Sequence, residues 1–110
     1  MIIQHKNLSE GRWQNFSLME QLANIGSEVS RALNWRGKNN SEYAQKASGR
    51  ALELLDLTLD QKQTFVRYRE LCRLREALVD YFYGENQFAS SESLWRKYFD
   101  HFNFASRKER

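Results

Sequence analysis

The chain contains no proline in 110 residues, and its apolar side chains recur every three to four positions. Proline ends or kinks a helix because it lacks an amide hydrogen and its ring clashes with the preceding turn. Without it, nothing in the backbone chemistry interrupts long helices. Apolar residues at this spacing line one face of a helix, whereas a half-buried strand needs strict alternation. No stretch alternates for long enough to read as a strand. A length of 110 residues suits a single core and is too short for two.

Four amphipathic helices follow from this periodicity. The first is predicted over residues 9–36, with Leu18, Leu22, Ile25, Val29 and Leu33 on one face and Gly26 among them. Gly37 and the Lys38–Asn40 run are its stop signal, since glycine accepts the left-handed closing turn. The second is predicted over 41–57, carrying the stripe Ala44, Ala47, Ala51, Leu54 and Leu55, with Asn40 or Ser41 as its N-cap. Thr58 and Gln61 have capping-box spacing and predict a third helix over 59–83, closed by Gly84. The fourth is predicted over 91–105 after Ser90 or Ser91, with Leu94, Trp95, Tyr98, Phe102 and Ala105 sharing a face. Residues 1–8 and 106–110 read as flexible ends. Short connections between four such helices predict one all-α domain, an antiparallel up-and-down four-helix bundle. A three-helix core with a loosely docked fourth segment is the structural alternative. Gly26 and the alanine stripe would let backbones approach closely.

Charge and composition narrow the functional classes. The net charge is +3, from 17 basic and 14 acidic side chains. Residues 1–60 carry seven of each sign, so the excess lies in the C-terminal half. An anionic partner such as nucleic acid is permitted by this balance and not required by it. A single cysteine, Cys72, excludes an internal disulfide and fits a reducing compartment. No leader-like segment and no apolar run of membrane-spanning length is present, so a cytoplasmic, non-membrane protein is expected. Two histidines, His5 and His101, lie far apart, and no HxxxH, ExxH or CxxC pattern exists. No metal centre is therefore expected. The glycines are isolated, so no phosphate-binding loop and no cofactor are expected.

The densest chemistry is RYRELCRLRE, residues 67–76. On a helical wheel Arg69 and Arg73 fall opposite the leucines, with Glu76 and Asp80, and read as a solvated face. Arg67 lies at the edge of the apolar arc. Arg75 lies within it, and a buried guanidinium must be paired or hydrogen-bonded. Two arrangements satisfy this. One is an ion pair with Glu20, Glu28 or Asp56. The other is a pocket in which Arg75, Tyr68 and Asn15 bind an anionic ligand. Trp13 and Trp35 project from the first helix on the side away from its apolar stripe. They predict a self-association interface, a C2 dimer by default, unless the lead-in or the 84–90 loop with Phe88 covers them.

The runs FSLMEQLANIGSEVSRALNW, ALELLDLTL and RELCRLREAL resemble a group of short prokaryotic helical-bundle proteins over roughly residues 12–104. That group carries no known activity, so the resemblance lends no catalytic residue. RKYFDH, from Arg96 to His101, resembles the Arg-to-His signature of HEPN helical bundles, which include ribonucleases. The resemblance implies Arg96 and His101 as catalytic residues acting on RNA, although this chain has Lys97 where those bundles often carry Asn, Asp or His. Three functions follow as expectations. The first is a non-enzymatic, self-associating interaction protein with a homodimeric or other protein partner. The second is an RNA-binding or RNA-cleaving protein of the HEPN kind. The third is a binder of small anions through Arg75.

Overall fold

The helix boundaries are set by side-chain caps. In the computed structural model, which describes residues 11–108, Trp13–Asn15 form a short 3-10 turn. Ser17 then begins a reciprocal capping box. Its hydroxyl accepts from the Glu20 amide at 3.1 Å, and the Glu20 carboxylate accepts from the Ser17 amide at 3.1 Å. Helix α1 accordingly spans Leu18–Gly37 and does not begin at residue 9. The part of the expected first helix before residue 11 lies outside the described residues, as do the ends 1–8 and 109–110. Asn40 caps α2, Ser41–Leu59, by accepting from the Tyr43 amide at 3.1 Å. Asn39, with φ 59°, makes the left-handed turn between the two, not Gly37. Asparagine is among the few non-glycine residues that tolerate this conformation.

The break between α2 and α3 falls later than the sequence suggests. Thr58 is fully buried inside α2, and its hydroxyl donates to the Leu54 carbonyl at 3.1 Å. It is therefore not a cap. Thr64 takes that role, accepting from the Arg67 amide at 3.2 Å, and α3 spans Phe65–Tyr83. Ser91 accepts from the Leu94 amide and starts α4, Glu92–Lys108.

Among the described residues the fold is all helical, with these four helices and no strand. Its core is formed by Trp13, Leu22, Ile25, Val29, Leu33, Leu54, Leu55, Leu71, Leu74, Leu78, Trp95 and Phe99. Helix α1 packs against both α2 and α4, while α3 lies against α2. Ala44, Ala47 and Ala51 are buried on α2, as their spacing predicts. Gly26 serves a different helix. A methyl group there would lie 2.7 Å from Cβ of Phe99, so the missing side chain seats α4 on α1. Phe99, absent from the expected apolar face of α4, is thereby buried, and Leu94 and Tyr98 turn outward and are exposed. The radius of gyration is 13.6 Å, close to the ~13 Å of a compact domain this size.

Candidate functional site

Arg75 is paired. Its Nε donates to Asp56 Oδ1 at 2.7 Å and its Nη2 donates to Asp56 Oδ2 at 3.4 Å. The two side chains are 40% and 41% exposed, so the guanidinium reaches past the apolar arc to the rim of the α2–α3 seam. Asp56 raises the Arg75 pKa further above its already high ordinary value through that hydrogen bond. Asn15, expected on a core face beside Arg75, sits in the 3-10 turn and is exposed, because α1 starts only after it. Tyr68 is also exposed. Its phenol is pushed above the ordinary 10.0, first by a hydrogen bond to the Cys72 side chain and then by charge at Cys72. The three residues thus do not close a pocket. Arg67, Arg69 and Arg73 are all exposed, and Arg73 approaches Glu70 at 3.5 Å.

Trp13 belongs to the core. It is 2% exposed, and its indole N–H donates to the Thr58 hydroxyl at 2.9 Å. A partner protein has nothing to cover there, because the 3-10 turn directs this side chain under α2. Trp35 is half-buried, edge-on to Tyr43 at 4.9 Å, with Lys38 Nζ 5.2 Å from its ring centre. Phe88, considered above as a cover for the tryptophans, is itself 61% exposed.

Arg96 ties α4 to α1. It donates to Ser30 Oγ at 3.1 Å, to Asn34 Oδ1 at 2.9 Å and to Glu92 Oε1 at 3.1 Å. His101 is exposed and lies edge-on to Phe102 at 5.3 Å. No hydrogen bond joins it to Arg96. Beside Arg96 a groove of about 220 Å³ runs between α1 and α4, lined by Gly26, Ser30, Trp95, Phe99 and Asn103. The Trp95 indole nitrogen is buried without a hydrogen-bond partner among the described residues.

Two polar clusters escape prediction from sequence. Gln21, fully buried, exchanges two amide hydrogen bonds with Gln61 at 2.9 and 2.7 Å and donates to the Trp13 carbonyl. This fastens the segment before α1 to the α2–α3 connection. Glu28, also buried, accepts from Arg31 at 2.7 Å and from Arg50 at 2.9 Å. The only sequence signal for either was a polar residue beside the α1 stripe. Among the described residues no group of three His, Cys, Asp or Glu is placed to hold a metal, and no helix is long and apolar enough to cross a membrane. His5 lies outside the described residues.

The exposed large apolar side chains have an uneven distribution. Helix α1 has none and α2 has only Tyr43, whereas α3, α4 and the loop between them carry Phe65, Val66, Phe88, Leu94 and Phe104. Phe65 and Val66 are 75% and 70% exposed. No family model, curated protein or solved structure matches the chain.

Proposed function

We propose that this chain is a non-enzymatic, cytoplasmic interaction protein that self-associates as a homodimer. One observation carries the proposal: apart from Phe16 and Tyr43, the exposed large apolar side chains of the described residues belong to α3, α4 and their connecting loop. Large apolar side chains that the chain's own helices leave uncovered offer surface for contact with another protein, and a second copy forms the simplest closed assembly. The surface differs from the Trp13–Trp35 face suggested by the sequence, because Trp13 is buried.

The bundle beneath that surface is an antiparallel up-and-down arrangement. The register of side-chain contacts supports it. Trp35 meets Tyr43, Glu28 meets Arg50 and Gln21 meets Gln61, so positions descend along α1 as they ascend along and beyond α2. Tyr83 with Ser48 and Arg75 with Asp56 run the same way for α2 and α3. Asn34 with Arg96 and Gly26 beside Phe99 do so for α1 and α4. The free thiol of Cys72 is in keeping with a reducing cytoplasm.

Native mass spectrometry and sedimentation equilibrium test the proposal. The expected result is a species of twice the 13.1 kDa chain mass whose fraction grows with concentration. A monomer at every concentration overturns it.

A further inference from the structure

We infer that the second copy docks on the outer face of α3, with the two α3 helices antiparallel across a two-fold axis. This rests on the self-association proposed above and names its surface. Helix α3 buries only Leu71, Leu74 and Leu78 and lies at the edge of the bundle against α2. Its opposite face carries Val66, Arg69, Arg73, Glu76 and Asp80, spaced alternately three and four residues apart; Tyr83, next in that spacing, is half exposed while its hydroxyl reaches back to Ser48 of α2. That is the spacing of a seam that meets another helix.

The seam is self-complementary in one direction only. Its first half is basic and its second half acidic. An antiparallel pair centred between Arg73 and Glu76 sets Arg73 against Glu76 of the partner subunit and Arg69 against Asp80 of the partner subunit, with Val66 beside the half-exposed ring of the partner's Tyr83. The two-fold axis repeats each pairing. A parallel pair would set arginine on arginine and acid on acid, which is repulsive.

Apolar contact comes from the ends. Phe65 and Val66 begin the helix and are its most exposed large apolar residues. Phe88 stands exposed just beyond the other end. The Asp80 carboxylate accepts from the Gln87 and Phe88 amides at 2.8 and 3.0 Å, which pins that loop against the helix. The helix is about 28 Å long at 1.5 Å per residue. An antiparallel partner therefore brings each Phe65–Val66 end onto the Tyr83–Phe88 end of the other copy. Arg73 can turn to pair across the axis, since among the described residues its ion pair is a long one with Glu70 at 3.5 Å and both side chains are largely exposed.

A charge-swap series tests the pairing by sedimentation. Arg73→Glu and Glu76→Arg each place like charges across the axis, and each is expected to weaken the dimer by about tenfold or more. An equimolar mixture of the two, and the double variant R73E/E76R, both restore opposite charges and are expected to recover wild-type association. Val66→Arg, at the apolar end, is expected to weaken it independently. Both charged positions are exposed, and circular dichroism checks that each variant keeps its helices. Single variants that associate like a dimeric wild type, or a double variant that stays weak, overturn the α3 pairing and leave self-association standing. A monomeric wild type overturns both.

Discussion

Arg75 occupies a helical phase shared with the buried leucines of α3, yet its charge is not in the core. The long side chain carries the guanidinium out to Asp56 at the rim, the usual behaviour of a long cationic residue near apolar surface. A pair this exposed contributes little, because water and salt screen it. Arg75→Met is therefore expected to change unfolding free energy by less than about 1 kcal/mol, measured by urea denaturation. A loss of several kcal/mol would show that the pair is worth much more than its exposure implies. Tyr98 makes a second prediction. Although the residue is 41% exposed, partial burial of its ring against Trp95, Phe99 and Phe102, and then the nearby Glu70, raise its phenol above the ordinary 10.0. The unfolded chain then gives up this proton more readily than the folded one. The associated stability is present in full below pH 10.0 and declines as pH climbs through the raised folded value. Tyr98→Phe is expected to flatten the stability–pH curve above pH 10 and leave it unchanged at neutral pH.

The elements show which local signals are decisive. The sequence narrowed two caps to Asn40 or Ser41 and to Ser90 or Ser91, and the structure selects Asn40 and Ser91, each directly preceding its helix. Thr58 misled because its hydroxyl is taken by Leu54 and the Trp13 indole, and only packing reveals that. The Ser17–Glu20 box is present in the sequence, but the apolar pattern ran past it toward residue 9. Gly26 was legible as a close-approach residue, but not the helix it serves. Glycine inside a helix costs about 1 kcal/mol relative to alanine, so Gly26→Ala would stabilise an isolated α1. In the folded protein the added methyl meets Cβ of Phe99 at 2.7 Å, and that atom has no rotamer by which to move away. Gly26→Ala is expected to destabilise the protein by about 1–3 kcal/mol and to loosen α4. Thermal unfolding and hydrogen exchange along α4 would measure both effects, and an unchanged or raised melting temperature would contradict the tight α1–α4 crossing.

At the scale of the whole molecule, α1 is covered by α2 and α4 while α3 stands at an edge with a largely exposed outer face. A dimer through that edge links folding to association, so the melting temperature should rise with protein concentration. A melting temperature independent of concentration, measured by calorimetry over a wide range, would argue for a monomeric unit. The helical class, the four helices and most of their core residues were readable from the order of the amino acids. Those depend on periodicity and on the absence of proline, and both are local. That order also placed Asp56 among the partners of Arg75. The burial of Trp13, the inward turn of Phe99 in place of Leu94, and the joining of Gln21 to Gln61 emerge from packing between helices. Each of these depends on which helix lies beside which, and on a rotation about the helix axis that a few contacts impose. Residues far apart in the chain set those contacts, so no local pattern encodes them.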